Sequence, residues 1–381
     1  MNVLIVPSWY PTIKSPNTGV FFKEQALALQ NYGLNVTVMY PEIWSLRSIK
    51  QGHKGNIGLI ITNEDGLQTY RIRGYNYFPR FKPAIKTIYY RRLKQMINKY
   101  IKEYGAPDLL HAHSIFWGGW AAAKISEEYK IPLVITEHST AYERNLIRED
   151  QVKYINYALS VAKKLVVVGP GLERSMQKYT SKGKIKIIPN IVDMSKFKQN
   201  SSILTNNKFR FFSLGFLKHK KGLDLLIKAF SKSFKGYDNV ELVIGGDGEE
   251  RENLENLSVN EGIQDKVKFL GDLTRDRVVE EMQKCDVFVL PSRFETFGVV
   301  YIEALACGKP IIATRCGGPE MIVNKNNGLL CDVNNIEELK DSLIYLYENI
   351  DNYDPDKIIE DCKNRFSAAA VSKQLFKLYE D

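Results

Sequence analysis

The chain has 381 residues, of which 44% are hydrophobic and 25% are charged. No apolar run approaches the roughly 18 residues that span a bilayer, which excludes an integral membrane protein, and at roughly 100–200 residues per domain the length favours two domains. The net charge of +9 is uneven, because residues 1–190 carry 27 Lys and Arg against 13 Asp and Glu, whereas residues 191–381 carry 26 against 31. We therefore expect the first half to prefer anionic partners.

The apolar start of the chain is interpreted as a β-strand and not as a signal peptide. No basic residue precedes Val3–Val6, and Pro7 and Trp9 interrupt the apolar segment that a signal peptide would continue. We therefore expect a cytosolic protein.

Short β-branched runs alternate with helical patterns through the first half. Strands are predicted at Val3–Val6, Asn35–Tyr40, Leu109–His111, Leu133–Thr136 and Leu165–Val168. Helices are predicted at Val20–Tyr32, Ile85–Tyr104, Trp117–Tyr129, Gln151–Ala162 and Gly171–Tyr179. This alternation is typical of a parallel, doubly wound α/β sheet.

A polar stretch between Ile188 and Asn207 breaks the alternation and is interpreted as an interdomain linker. Strands are then predicted at Phe209–Leu214, Val240–Gly245, Val267–Leu270, Val287–Leu290 and Pro310–Ala313. Helices are predicted at Gly222–Phe234, Glu249–Glu261, Arg275–Lys284 and Val299–Cys307, with a helical tail at Ile336–Tyr347, Pro355–Cys362 and Ala368–Tyr379. We predict two tandem Rossmann-like domains, at 1–190 and 191–365, and a C-terminal helix at 366–381.

The five cysteines all lie in the C-terminal part of the chain, and none forms a Cys-x-x-Cys pair. This pattern disfavours both a disulfide framework and a structural zinc site.

Unusual residues follow the strands of the first half, where open parallel sheets bind their ligands. Gly19 directly precedes a predicted helix, so it is interpreted either as a phosphate-approaching glycine or as a plain helix-starting one. Three histidines, His111, His113 and His138, stand at strand ends. They are candidates for polar contacts to a substrate, for structural residues or, less favourably, for metal ligands, because no nearby Cys or carboxylate completes a ligand set.

A basic loop, KHKKG, connects the strand Phe209–Leu214 to the next helix. Lys218, Lys220 and Lys221 gather at the positive end of that helix dipole, where a phosphate would relieve their repulsion. The alternative is that the lysines extend into solvent. The loop lacks Walker A spacing, and the GGDG turn at 245–248 lacks the dinucleotide fingerprint, so NAD binding is not supported.

The densest segment is LPSRFETFGVVYIEALACG, at residues 290–308. Glu295 precedes a predicted helix whose free amides, around Phe297 to Val300, would form an anion site. Glu303 lies within that helix, and a buried carboxylate there would need donors such as a sugar diol. The alternative is a helix-dipole carboxylate at Glu295 and an exposed Glu303.

These segments together resemble the family 4 retaining glycosyltransferases. The resemblance covers nearly the whole chain and rests on the Glu-x7-Glu segment from Glu295 to Glu303, the GGDG turn, IPNIVD at 188–193 and the KHKKG loop. It implies a GT-B fold, in which two Rossmann-like domains flank a cleft and the last helix crosses back to the first domain. The first domain would bind the acceptor, and the second would bind a nucleotide-sugar donor.

The resemblance also implies residue roles. Glu303 would hold the donor ribose, Glu295 and His113 would contact the transferred sugar, and His138 would lie in the corresponding Thr-x-His loop. Lys221 would neutralise the diphosphate with the amides near Phe297, Gly298 and Val299, and Gly19 would approach the diphosphate from the other domain.

This chain departs from the family pattern at one position. The family usually has Arg where this chain has Phe216, and Lys218 or Lys220 is expected to supply the positive charge of that missing Arg.

We expect catalysis without a metal or other cofactor. Fixed cations and helix N-termini can stabilise a departing diphosphate, and the single Asp-x-Asp pattern, Asp354-Pro-Asp356, is interpreted as a helix N-cap followed by proline at N1.

Residues 71–104 contain ten Lys or Arg and one acid, Glu103, and their apolar spacing predicts an amphipathic helix. Its apolar stripe either faces the core or rests on anionic lipid, with Tyr77, Phe78, Phe81, Tyr89 and Tyr90 at the interface. No nucleic-acid-binding module accompanies this stretch.

The expected function is transfer of a sugar from a nucleoside diphosphate donor, with UDP favoured, to a glycan or lipid-linked acceptor in surface polysaccharide assembly. Retention of anomeric configuration is implied by the resemblance alone. The alternatives are a nucleotide-sugar epimerase and a degenerate subunit that binds a nucleotide sugar without catalysis.

Overall fold

The computed structural model describes residues 1–16, 18–46, 56–77, 83–199 and 208–381. Part of the predicted linker, residues 200–207, and two predicted lipid-facing residues, Phe78 and Phe81, lie outside this description. The chain forms two compact units. The N-terminal unit comprises Met1–Val168, Leu172–Pro189 and Val371–Asp381, and the C-terminal unit comprises Gly169–Gly171 and Asn190–Ala370.

The first half alternates strands and helices. Its strands are β1 (Asn2–Pro7), β2 (Asn35–Ser45), β3 (Gly58–Glu64), β4 (Leu67–Asn76), β5 (Leu109–His113), β6 (Leu133–Glu137), β7 (Lys164–Val167) and β8 (Ile185–Ile187). Its helices are α1 (Val20–Asn31), α2 (Pro83–Tyr104), α3 (Trp120–Tyr129), α4 (Glu149–Val161) and α5 (Pro170–Met176). The strands form one sheet in the order β3-β4-β2-β1-β5-β6-β7-β8, in which β3 runs antiparallel to β4.

Sequence periodicity missed the hairpin of β3 and β4 in this sheet. The two strands are joined at Asp65 and Gly66, both of which have positive φ, of 54° and 95°. An Asp-Gly pair between apolar runs is a strong hairpin signal, so the sequence did contain the necessary indication. Helix α3 also begins at Trp120 and not at Trp117, because Ile115–Gly119 forms a π-helical turn.

The second half is more regular. Its strands are β9 (Phe209–Leu214), β10 (Val240–Gly245), β11 (Val267–Gly271), β12 (Val287–Leu290), β13 (Ile311–Thr314) and β14 (Gly328–Cys331). Its helices are α6 (Leu223–Phe234), α7 (Arg251–Asn260), α8 (Arg275–Lys284), α9 (Val299–Ala306), α10 (Ile336–Glu348) and α11 (Pro355–Phe366). The sheet order is β11-β10-β9-β12-β13-β14, with parallel neighbours throughout. Strand β14 extends the predicted sheet.

The strand order of each sheet places its ligand-binding loops. In the N-terminal sheet the order reverses between β1 and β5, and in the C-terminal sheet it reverses between β9 and β12. Loops beyond the carboxyl ends of such neighbouring strands diverge and leave a crevice. The described residues at 8–16, 18–19, 113–119, 215–222 and 291–298 lie in or next to those loops.

The last helix, α12 (Ala368–Glu380), carries the chain back to the N-terminal unit from Val371 onward. Within that unit its Tyr379 Oη and His111 Nδ1 lie 2.7 Å apart, and both side chains are buried. The hydrogen bond therefore fastens α12 to the centre of the sheet.

All five cysteines of the chain are described, none of them forms a disulfide, and four of them are buried. Among the described residues, no helix is long and apolar enough to cross a membrane.

Candidate active site

The basic loop after β9 contains an ion pair that the sequence analysis did not foresee. Lys221 Nζ lies 2.6 Å from Glu295 Oε2, and each side chain is 13% exposed. Lys218 is exposed and Lys220 is half-buried. Lys221 is therefore balanced by a carboxylate of the same unit, and it does not need a phosphate to relieve its repulsion from the other two lysines.

Arg293 fixes the position of the basic loop. Its guanidinium donates to both carboxylate oxygens of Asp224, over 2.8 and 2.7 Å, and to the His219 carbonyl over 2.6 Å. The Arg293 amide donates to the Lys220 carbonyl over 2.7 Å. These bonds tie the loop after β9 to the loop after β12, which brings Lys221 to Glu295.

Gly222 makes this close approach possible. It adopts a left-handed conformation with φ of 68°, and a Cβ atom there would lie 2.0 Å from the carbonyl oxygen of Pro291. Any other residue would push the two loops apart.

Helix α9 presents free backbone amides beside the pair. Gly298 precedes the helix with φ of 92°, Phe297 is buried, and the amides of Val299 and the next residue lie in a first turn that lacks intrahelical acceptors. The Glu295 carbonyl accepts a bond from the Gly318 amide over 2.8 Å. A fixed cation and a helix N-terminus thus occur in one loop cluster, an arrangement that suits a phosphate.

Glu303 lies inside α9 and is 2% exposed, so the alternative of an exposed Glu303 is wrong. Its Oε1 accepts a hydrogen bond from Arg275 Nη1 over 2.5 Å. Its Oε2 is buried and accepts no hydrogen bond from the described residues. Burial raises the pKa of Glu303, and the neighbouring Arg275 partly offsets this effect.

The three strand-end histidines of the N-terminal unit have different roles. His111 Nε2 lies 2.7 Å from Thr136 Oγ1, and with Tyr379 on its other nitrogen this residue is structural. His113 Nδ1 lies 3.2 Å from His138 Nε2, whereas His113 Nε2 is buried and has no hydrogen-bond partner among the described residues. Burial lowers the pKa of His111 and His138 to about 3, and it lowers the pKa of His113 well below 6.5.

Gly19 and α1 border this histidine pair. The Phe22 ring lies 4.7 Å from the His113 ring and 4.9 Å from the His138 ring. Gly19 precedes α1 with φ of 74°, and a Cβ atom would lie 3.0 Å from the Trp9 carbonyl oxygen. Its neighbour Asn17 lies outside the described residues.

Glu137, which was not among the predicted site residues, is a fully buried carboxylate at the end of β6. It accepts hydrogen bonds from the backbone amides of Ile115, His138 and Ser139, over 2.9, 2.8 and 2.9 Å. Burial raises its pKa, and these amides oppose the rise. Its position directly before His138 at a strand end was the available signal.

No group of three or more metal-ligating side chains occurs in the described part of the chain. Asp354 of the Asp-x-Asp pattern instead caps α11, because its Oδ1 accepts from the amides of Asp356 and Lys357 over 3.0 and 3.4 Å. Pro355 follows at the first helical position, so this structural prediction is confirmed.

The basic helix α2 turns most of its apolar stripe inward, with buried Leu93, Met96 and Ile97. Tyr89, expected at a lipid interface, is instead 3% exposed and donates to the Pro7 carbonyl over 2.6 Å. That expectation is wrong for Tyr89, because the sheet end beneath α2 offers a buried acceptor. Tyr77 is 64% exposed.

Two family models match the chain. One, described as glycosyltransferase family 4, matches residues 18–196, and the other, described as glycosyl transferases group 1, matches residues 194–365.

Two relatives illustrate the similarity at the level of sequence. An uncharacterized glycosyltransferase of Methanocaldococcus jannaschii is 32% identical over 272 residues, which is 68% of this chain and 72% of that protein. A putative teichuronic acid biosynthesis glycosyltransferase of Bacillus subtilis is 26% identical over 407 aligned residues, covering 100% of this chain and 98% of that protein.

Solved structures extend the similarity to the fold. Sucrose-phosphate synthase from Thermosynechococcus elongatus matches with a TM-score of 0.80 at 20% identity, covering 100% of this chain and 98% of that one. Anabaena HepE in complex with UDP matches with a TM-score of 0.77 at 18% identity, covering 100% of both chains. The fold is GT-B, and the chain belongs to glycosyltransferase family 4.

Proposed function

We propose that the protein is a retaining, metal-independent hexosyl- or N-acetylhexosaminyltransferase. It transfers the sugar from a nucleoside diphosphate donor, UDP in the first instance, to a glycan or lipid-linked acceptor during cell-surface polysaccharide biosynthesis. The ion pair of Lys221 and Glu295 beside the N-terminus of α9 carries this proposal.

The chemistry needs a stabilised leaving group. The bond between the anomeric carbon and the diphosphate oxygen breaks, and the diphosphate keeps the electron pair. The acceptor hydroxyl oxygen bonds to the same carbon, and its proton passes to the departing diphosphate. Charge develops on the departing phosphate, and pre-oriented cations and amides stabilise such charge most effectively. Lys221 and the amides near Phe297, Gly298 and Val299 supply these groups.

Lys221 and Glu295 act together in this proposal. A bound diphosphate competes with Glu295 for Lys221, which leaves the carboxylate to accept hydrogen bonds from hydroxyls of the transferred sugar. Lys218 and Lys220 supply further positive charge where Phe216, which is 63% exposed, provides none. Glu303 Oε2, which is buried and has no hydrogen-bond partner in the part of the chain that the structure describes, accepts bonds from the donor ribose.

In the N-terminal unit, His113 supplies a neutral imidazole to the sugar, because burial lowers its pKa well below 6.5. Its buried Nε2 is the atom available for a sugar hydroxyl. His138 orients the ring through the 3.2 Å contact at Nδ1, and Gly19 contributes to phosphate contacts at the start of α1.

The choice of donor and pathway follows the relatives. HepE was solved with UDP, and the Bacillus subtilis relative is described as a putative teichuronic acid biosynthesis enzyme. Metal independence is supported by the fixed cations at the site and by the capping role of Asp354.

The function is tested with a panel of UDP-, GDP- and ADP-sugars, measuring nucleoside diphosphate release with EDTA present. Release from one donor, unchanged by chelation, is expected. Activity lost in EDTA and restored by Mg²⁺ or Mn²⁺ would overturn metal independence. Binding of a nucleoside diphosphate with no release in the presence of candidate acceptors would favour the non-catalytic subunit.

We further propose that the segment 71–104 contacts an anionic membrane surface at the cytoplasmic face through its exposed side chains. Tyr77 is 64% exposed, and Arg91 and Lys102 of α2 are exposed and basic, whereas Arg71 is buried and paired with Glu42 and Glu64 and takes no part. In a flotation experiment, we expect more protein to be recovered with vesicles of phosphatidylglycerol and phosphatidylcholine than with vesicles of phosphatidylcholine alone. Equal recovery would contradict the proposal.

A further inference from the structure

Arg275 is a charged side chain that the steps above do not use. It is the first residue of α8, and its Nη1 donates to Glu303 Oε1 over 2.5 Å. Its guanidinium carbon lies 4.6 Å from the ring centroid of Phe197, which is fully buried. The carboxylate and the aromatic ring together hold the guanidinium in one orientation.

Glu303 depends on this contact for its charge. The side chain of Glu303 is 2% exposed, whereas that of Arg275 is 31% exposed. A buried carboxylate is costly unless a partner compensates it, and the arginine opposes the rise in the pKa of Glu303 that burial causes. Arg275 therefore favours the ionised form.

The ionised form suits a ribose. A carboxylate offers about four lone-pair sites, and Arg275 occupies one of them at Oε1. Oε2 is buried and receives no hydrogen bond from the described residues. It can therefore accept a hydrogen bond from a ligand hydroxyl. Two ribose hydroxyls can both donate to a carboxylate, whereas a protonated acid would lose acceptor sites to its own hydrogen.

We propose that Arg275 is a positioning residue that keeps Glu303 ionised and oriented for the two ribose hydroxyls of the donor nucleotide. This inference rests on the function proposed above. It makes Arg275 a determinant of the preference for ribonucleotides over deoxyribonucleotides, although the residue acts through Glu303.

The test compares UDP with 2′-deoxy-UDP by isothermal titration calorimetry on the full chain. Arg275→Ala is expected to weaken UDP binding by about 10- to 100-fold, the effect of losing a hydrogen bond to a charged group, and to weaken 2′-deoxy-UDP binding much less. The ratio of the affinity for UDP to the affinity for 2′-deoxy-UDP is therefore expected to fall. Arg275→Lys, which keeps the charge, is expected to restore much of that preference, a rescue that a purely structural role does not predict.

The matched control is Arg277→Ala on the same helix. Arg277 forms ion pairs with Glu280 and Glu281 and none with Glu303, so the preference for UDP should remain as in the wild type. If Arg275→Ala does not fold, as judged by circular dichroism, Arg275→Gln retains much of the side-chain volume without charge and takes its place.

A double variant tests whether Arg275 affects UDP binding through Glu303. In a Glu303→Gln background, Arg275→Ala is expected to change UDP affinity by less than about threefold, because coupled residues are not additive. A full additional loss in that background would show that Arg275 acts independently and would overturn the inference.

The outcomes separate the two proposals. A wild-type chain that binds none of UDP, GDP and ADP overturns the proposed function and this inference with it. If GDP or ADP binds instead of UDP, the same comparison is made with its 2′-deoxy form. A wild-type chain that prefers the ribonucleotide, while Arg275→Ala keeps the same affinity and preference, overturns this inference alone.

Discussion

The two units maintain polar groups at their strand ends by different means. In the C-terminal unit each candidate carboxylate has a basic partner, Lys221 for Glu295 and Arg275 for Glu303. In the N-terminal unit the histidines are buried, with their pKa values lowered by burial. The C-terminal loops therefore contain paired charges, whereas the N-terminal loops contain buried rings and the amide-bound Glu137, although the N-terminal half has the larger excess of basic residues.

The net charge of each half of the chain therefore does not indicate the charge of the side chains at its strand ends. Fixed cations stabilise charge on a departing phosphate, and the C-terminal loops hold Lys221 in a fixed position beside Glu295. A neutral imidazole can both donate and accept a hydrogen bond, so the buried histidines give the N-terminal unit polar groups whose low pKa values keep them uncharged near neutral pH.

The largest effect that would test this contrast is expected for Lys221→Ala. Loss of the cation that we propose as the stabiliser of the leaving group is expected to lower kcat/KM by about 100- to 1,000-fold, measured as nucleoside diphosphate release. Lys232→Ala on α6 is the control, because Lys232 forms a surface pair with Glu337. Unchanged activity in Lys221→Ala would mean that the lysine serves only Glu295.

The histidines are expected to make stability depend on pH. Their pKa is lower in the folded chain than the 6.5 of an unperturbed histidine, about 3 for His111 and His138. The unfolded chain therefore binds protons first, so this contribution to stability is fully present above pH 6.5 and is lost progressively toward pH 3. The slope is about 1.4 kcal/mol per pH unit for each histidine.

Urea unfolding between about pH 7.5 and pH 5 measures this slope, in a range above the ordinary carboxylate pKa values. His138→Gln, which cannot take up that proton, should show a shallower dependence. An unfolding free energy that stays constant across the range would contradict the neutral histidine cluster.

A smaller effect is expected for Arg293→Ala. The variant removes the bonds that fix the His219 carbonyl and Asp224, so the basic loop loses its position and the donor KM rises by about tenfold. Arg315→Ala serves as the control, since Arg315 is 45% exposed and pairs with Asp332 and Glu338. A donor KM equal to that of the wild type would mean that the backbone alone holds the loop.

The smallest effect is expected for Tyr379→Phe. Removing the hydroxyl breaks the bond between α12 and His111 and should cost about 1 kcal/mol in the free energy of unfolding. Tyr345→Phe on α10, where the tyrosine is 47% exposed, should change it by much less. Equal values for the two variants would show that the buried bond contributes nothing.

Much of the fold could be predicted from periodicity. Strands β9, β10 and β12 and helix α8 have their predicted bounds, because continuous apolar runs and strong helix formers alternate there with clear turns. Strands β3 and β4 were not found in that way, since no residue of β3 is fully buried and its apolar residues stand side by side without the alternation that marks a half-buried strand. The Asp65–Gly66 turn was a better guide than hydrophobicity.

Some residues of the candidate site could likewise be predicted from the sequence, whereas their partners could not. The Glu-x7-Glu spacing and the lysine loop are visible in the sequence, because they belong to single segments whose local structure follows from nearby residues. The partners of these residues are distant along the chain, with Lys221 and Glu295 separated by 74 positions. Arg275 and Arg293 were missed for this reason, since nothing in their own segments indicates what they contact.

Residue patterns along the chain were enough to indicate the α/β alternation, the residue types at the strand ends and the glycosyltransferase family. Only the folded chain shows that Lys221 pairs with Glu295 and that His111 bonds to Tyr379. Periodicity reports how each segment is buried, whereas ion pairs and pKa values depend on the strand order that brings distant segments to one edge of a sheet.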